Sequence, residues 1–193
     1  MRLAFIGKMF SGKTTAADYL VKTYNFEHVS FGNGVKEVSA AMLNAFAAEE
    51  GIPQDWTLEK INQNKANPII RHLLQFTGGE IGRQLIGDEN IWIDKVLSKI
   101  GRIEAQRPGA NIVIDDCRYE NEYDVLKAAG FRIIRIQRNE LDRIIMAQAK
   151  YGDKWKEAGL HPSETSLDNH AADAIINART VKELHRKIDA IIH

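Results

Sequence analysis

Gly7-Lys-Met-Phe-Ser-Gly12-Lys13-Thr14 satisfies the pattern GxxxxGK[ST] in full, with an apolar run, Leu3–Ile6, before it and a segment of helical spacing after it. Each residue type has a physical reason. The glycines let successive backbone N–H groups curl round a phosphate, and the helix that follows adds free N–H groups and the positive end of its dipole. From its place in the motif Lys13 reaches the β- and γ-phosphates, and the Thr14 hydroxyl suits Mg²⁺. The stretch Gly7 to Thr15 therefore predicts a site for ATP and Mg²⁺, with Gly7, Ser11, Gly12, Lys13, Thr14 and Thr15 as its contact residues. By itself the motif does not separate a kinase from a hydrolysing switch or motor.

Outward from this loop, the runs His28–Phe31, Asn111–Ile114, Arg132–Ile136 and Ala174–Ile176 are nearly continuous in hydrophobicity, as parallel strands covered on both faces require. Helical spacing lies between them. Ala17, Leu20, Val21 and Tyr24 follow the loop, and Val125, Leu126 and Ala129 precede the C-cap glycine Gly130. Val181, Leu184, Ile188 and Ile191 stand behind the capping signal Thr180-Val-Lys-Glu183. This alternation predicts an α/β fold in one domain, 1–193: a five-stranded parallel sheet between two helical layers, joined by right-handed crossovers. Two connections, Gly32–Ala110 and Asn139–Asp173, are too long for simple crossovers. Long insertions at the carboxyl ends of parallel strands are where such sheets keep their ligands.

Composition excludes several alternatives. The 193 residues suffice for a full core, and 44% hydrophobic with 27% charged residues is ordinary for a globular chain. Formal net charge is +0, so no global field favours nucleic acid or an acidic membrane, and anion binding must come from local cations. The single cysteine, Cys117, allows no intrachain disulfide and suits a reducing compartment. No apolar run approaches the roughly 18 residues of a membrane span, and Leu3–Ile6 is too short for a signal peptide. The expected location is cytoplasmic, with no nucleic-acid or membrane partner.

The third run ends in Asp115-Asp116, where a carboxylate beside a phosphate loop holds Mg²⁺ directly or through water. Asp116 is favoured because Arg118 follows it closely, and Asp115 is its outer partner. The insertions carry Lys36, Arg71 and the glycine-flanked Arg83 on one side, and Arg143, Lys150, Lys154 and Lys156 on the other, with Arg138 where the second begins. For the lysines near Lys154 a solvated helix face is the better reading. An alcohol acceptor calls for a base, whereas a phosphate acceptor is already ionised and calls for cations against anion repulsion. The arginines lean toward the phosphate.

Beyond the loop, Val29-Ser-Phe31 with Lys36, Leu74-Gln75-Phe-Thr-Gly-Gly79-Glu80-Ile-Gly-Arg83 and Asn90-Ile-Trp92 stand in order. So do Asp116-Cys-Arg118-Tyr-Glu-Asn121-Glu122, His161-Pro-Ser-Glu164 and Asp173-Ala-Ile-Ile-Asn177. Across nearly the whole chain this series resembles the bacteriophage deoxynucleoside monophosphate kinases, relatives of adenylate and dephospho-coenzyme A kinases. The resemblance implies a five-stranded core with a helical monophosphate-binding region at 32–92 and a lid at 139–172. It implies that Lys36 and Arg83 grip the acceptor phosphate, that Gln75 and Trp92 lie near its sugar or base, and that Arg71 belongs to the same region. Lys13, Arg83, Arg118, Arg138 and Arg143 would then serve catalysis, with Thr14 and Asp116 on the metal. Two departures stand out: Gly78-Gly79-Glu80 where the family often has Gly-Thr-Glu, and a lid whose one internal arginine is Arg143.

The six histidines show no ligand spacing, His161 reads as a structural or polar lid residue, and Glu164 reads as part of a helix start with no assigned role. Cys117 reads as packing filler. The expected activity is Mg²⁺-dependent phosphoryl transfer from ATP to a deoxynucleoside monophosphate. A same-fold kinase of dephospho-coenzyme A, phosphomevalonate or a sugar acid, and a nucleotide-dependent switch, remain open alternatives. Base preference and oligomeric state, a homodimer included, are not written in the sequence.

Overall fold

The structure is a computed structural model that describes residues 1–52, 55–65, 67–152, 155–160 and 162–193, and only the backbone of Glu157 and Ala158. Lys154 and His161, singled out above, lie outside the described residues. The strands are β1 (Arg2–Ile6), β2 (Glu27–Val29), β3 (Ile112–Ile114), β4 (Arg132–Gln137) and β5 (Ala174–Asn177). They form one parallel sheet in the order β2-β3-β1-β4-β5. The fold class is the one expected, with strand ends shifted by one or two residues. Phe31 was counted in the second strand, but Ser30 is an extended N-cap and Phe31 opens helix α2 (Phe31–Glu49).

The chain divides into two compact units, Met1–Val29 with Arg102–His193, and Ser30–Gly101. The sheet belongs to the first. Leu3 and Phe5 point to the face covered by α1 (Lys13–Tyr24) and α10 (Val181–Ile192), packing with Ala16, Ala17, Leu20, Leu184 and Ile188. Ala4 and Ile6 point the other way and are also fully buried, so both faces of the sheet are covered. Each leucine, isoleucine or phenylalanine side chain so removed from water contributes roughly 1.5–3 kcal/mol, which favours burying the continuous apolar strands here over any exposed arrangement. Helix α1 stops where Asn25 takes a left-handed φ of 55° and donates its N–H to Leu20 O. Tyr19 and Tyr24 each donate to Asp189 Oδ1 at 2.8 Å and tie α1 to α10. At the front of α10, Thr180 Oγ1 accepts the Glu183 N–H, as the capping signal predicted.

Helices α6 (Glu120–Ala128), α7 (Glu140–Tyr151), α8 (Trp155–Leu160) and α9 (Pro162–Thr165) complete this unit. The second long connection is thus largely helical in its described residues as far as Thr165, and turns lead from there to β5. Asn139 caps α7 by accepting the Leu141 N–H at 2.9 Å.

In the second unit α2 packs on α3 (Leu58–Gln63) and α4 (Pro68–Gln75) through Ala40, Ile61 and Ile70, with Trp56 and Leu74 alongside. A π-helix, Phe76–Leu85, continues α4, and α5 (Ile91–Gln106) follows. The glycines at 78, 79 and 82 gave no helical signal in the sequence. What supports the wide turn is Trp92, whose indole N–H donates to Gly78 O at 2.9 Å. A Cβ on Gly82 would meet the Trp92 ring at 2.6 Å, so glycine is required for this approach.

Candidate active site

Register brings the site together at the carboxyl ends of the central strands. Ala4 pairs with Ile114 and Ile6 with Arg135, so the loop after β1 emerges between Asp115 and the end of β4. Gly7 has φ +134° and Gly12 φ +106°, and a Cβ on Gly7 would lie 2.3 Å from Ile136 O. Phe10 also takes a left-handed φ of 59° without being glycine, a conformation that costs about 1–2 kcal/mol for an L-residue. Its ring meets Tyr151 of α7 edge-on at 6.0 Å, and Lys150 lies 5.9 Å over it.

Inside this loop the groups suit a phosphate chain. Lys13 is 7% exposed, and its Nζ donates to Gly7 O at 2.5 Å and Lys8 O at 3.0 Å. Burial, aided by Arg118, pulls its pKa down to about 8 against Glu164, Asp115 and Asp116. An anion beside it therefore restores a charge that the fold alone penalises. Ser11 Oγ is buried without a hydrogen-bond partner, a donor set in the loop interior. Thr15 stands half-buried in the first turn of α1.

The hydroxyl of Thr14 donates to Asp115 Oδ2 at 2.6 Å, and His28 Nε2 lies 2.7 Å from Asp115 Oδ1. Burial pushes the Asp115 carboxyl up, but the bonds from His28 and Thr14 outweigh it and hold the group below the usual carboxylate range. The same bond raises His28. A threonine hydroxyl and an ionised carboxylate are hard oxygen donors, the chemistry that Mg²⁺ takes. Asp116 is half-buried and acts electrostatically on Lys13.

Cations gather on the same side. Arg118 pairs with Glu164 and also donates to Ser163 O at 3.1 Å. Glu122, 3% exposed, fixes the Arg118 backbone by accepting its N–H at 2.7 Å. Arg143 Nη1 donates to Met9 O at 3.4 Å, and Arg138 Nη1 meets Met146 Sδ at 3.0 Å. Arg138 and Arg143 line a cavity of about 400 Å³ with Gly7, Lys8 and Ser11. Burial, followed by Glu122 and Asp116, pushes the Cys117 thiol well up, so it stays protonated and packs.

The remaining candidates lie in the second unit. Lys36 is half-buried, with Nζ on Asn33 Oδ1 at 2.9 Å. Arg71 and Gln75 are exposed and four residues apart on α4, so they share one face. Arg83 is half-buried in the π-helix. Trp92 is 5% exposed against Gly34 and Gly82, which makes it a support of the π-helix.

Sequence reasoning passed over His28 and gave Glu164 no role. No local pattern marks His28; its partner is 87 residues away and becomes visible only once β2 is known to pair with β3.

Comparison with known proteins bears on the reading. The family model described as deoxynucleotide monophosphate kinase matches residues 48–188. A protein of Acanthamoeba polyphaga mimivirus, provisionally named a deoxynucleotide monophosphate kinase, is 24% identical over 96% of this chain and 93% of its own length. An uncharacterised protein, ORF77, of Ictalurid herpesvirus 1 (strain Auburn) is 27% identical over 98% of this chain and 69% of its own. Among solved structures, a sugar kinase from Janibacter sp. HTCC2649 superposes with a TM-score of 0.53 at 13% identity, covering 100% of this chain and 94% of that one, a likeness of fold. With the phosphate loop, its cations and a family match over most of the chain together, the chain belongs to the deoxynucleotide monophosphate kinase family.

Proposed function

We propose that this protein transfers the γ-phosphoryl group of ATP, with Mg²⁺, to a deoxynucleoside 5′-monophosphate and releases the diphosphate. The observation that carries the proposal is the gathering of Lys13, Arg118 and Arg143 round one glycine loop. A phosphate acceptor needs no deprotonation, so the barrier is charge crowding, and fixed cations are what lower it.

In this reading the N–H groups of the loop and the Lys13 ammonium bind the donor phosphates. Thr14 and Asp115 would hold Mg²⁺, with Asp115 rather than Asp116 as the carboxylate beside Thr14 because Asp115 takes the Thr14 hydroxyl. Held there, the metal would supply positive charge against the charge crowding of the phosphates. His28 keeps the Asp115 carboxylate turned toward Thr14. Arg118, Arg138 and Arg143 carry the charge that shifts during in-line transfer. Lys36 and Arg83 grip the acceptor phosphate, with Arg71 and Gln75 at its sugar or base and Trp92 behind the π-helix that presents Arg83.

Arg83→Ala tests the acceptor assignment. We expect the KM for the monophosphate to rise at least about tenfold while the KM for ATP stays within about twofold, as loss of a charge-assisted phosphate contact implies. Equal loss for both substrates would place Arg83 outside the acceptor site.

A further inference from the structure

Glu164 belongs to the short helix α9, distant in sequence from the phosphate loop, yet its carboxylate is bound to that loop. Oε2 accepts the backbone N–H of Met9 at 2.5 Å, and Oε1 accepts from the Arg118 guanidinium. The side chain is 6% exposed. Two further ties hold the same place: Lys8 pairs with Asp168 at 2.6 Å, and Arg118 also donates to Ser163 O. Glu164 also acts electrostatically on Lys13, so its charge lies within reach of the lysine that serves donor phosphates.

A loop N–H, an arginine and a nearby lysine are the donors that a terminal phosphate uses. A carboxylate placed on them is an anion in a phosphate's position. Two anions cannot share these donors in a low-dielectric site without strong repulsion. The α- and β-phosphates are cradled mainly by N–H groups at the start of the helix, whereas the γ-phosphate lies farther out.

On the reading of the loop as an ATP site, we propose that Glu164 is an internal competitor for the γ-phosphate. It docks on the Met9 N–H and Arg118, yields these donors to a triphosphate, and stays docked beside a diphosphate. Glu164 is thereby a specificity-determining residue: it weakens ATP binding selectively and sets the ATP-to-ADP affinity ratio. The docked arrangement also withholds Arg118 from the transferring group until a triphosphate has displaced the carboxylate.

The experiment is calorimetric titration of the full chain with Mg²⁺ and either ADP or a non-hydrolysable β,γ-imido triphosphate. If docking leaves about one molecule in ten open, Glu164→Gln binds the triphosphate about tenfold more tightly and ADP within about twofold of the unaltered chain. Equal shifts for both nucleotides, or weaker triphosphate binding, overturn the proposal and make Glu164 a mere support of Arg118. Carbodiimide labelling of the unaltered chain, read by mass spectrometry, gives a second test that needs no variant. Glu164 is expected to be shielded with ADP and labelled with the triphosphate; equal labelling in both overturns the proposal. Binding of neither nucleotide to the unaltered chain would overturn the ATP reading itself, and this inference with it.

Discussion

Lys13→Ala is expected to lower phosphoryl transfer at least about a thousandfold, the scale on which single phosphate-stabilising groups act in such enzymes. Stability should not follow activity. Lys13 is almost fully buried, and its pKa falls from 10.5 to about 8, chiefly through burial. A lowered lysine pKa means that the unfolded chain holds the proton more tightly. This group therefore penalises the fold in full below pH 8, and the penalty disappears as pH rises toward 10.5. Removing it at neutral pH should leave the melting temperature unchanged or raised, and should abolish that part of the alkaline rise in stability. A large fall in melting temperature would mean that its bonds to Gly7 O and Lys8 O outweigh the burial of charge.

The second large effect falls on stability. Gly7→Ala places a Cβ 2.3 Å from Ile136 O at φ +134°, so the clash is with backbone of the adjacent strand and cannot be relieved by a rotamer. Overpacking combined with a forbidden φ should cost about 3 kcal/mol or more, which for a chain of this size lowers the melting temperature by roughly 10 °C. Gly101→Ala is the control. It lies in α5 with nothing within 4 Å of the added carbon, and should gain roughly 0.5–1 kcal/mol from helix propensity. Comparable losses at both positions would remove the steric account of Gly7.

How much of this was legible in the sequence follows from the distance over which each feature is encoded. The phosphate loop is contiguous, so residues 7–15 announced both its shape and its chemistry. The strands were visible as apolar runs because both faces of the sheet are covered, although their order was not. Ser30 and Phe31 were misplaced because burial alone does not distinguish a strand end from the buried first turn of a helix. Helix was expected across 32–92, but the wide π turn within it was not legible, because its support, Trp92, lies 14 residues from the carbonyl it binds. The partner of Glu164 is 155 residues away, a pairing that no spacing rule reaches. Adjacent aspartates posed a subtler problem. Both lie just past the end of β3, where the regular alternation of a strand no longer says which side chain turns to the loop, and only the observed bond showed Asp115 to be the one beside Thr14.

The central claim is transfer to a phosphate acceptor. Incubating the chain with Mg²⁺ and ATP labelled in its γ-phosphate, against a panel of deoxynucleoside 5′-monophosphates, tests it most directly. The account predicts label in the β-phosphate of at least one deoxynucleoside diphosphate, with little free phosphate when the acceptor is omitted. Label appearing as free phosphate at the same rate with and without every acceptor would contradict it.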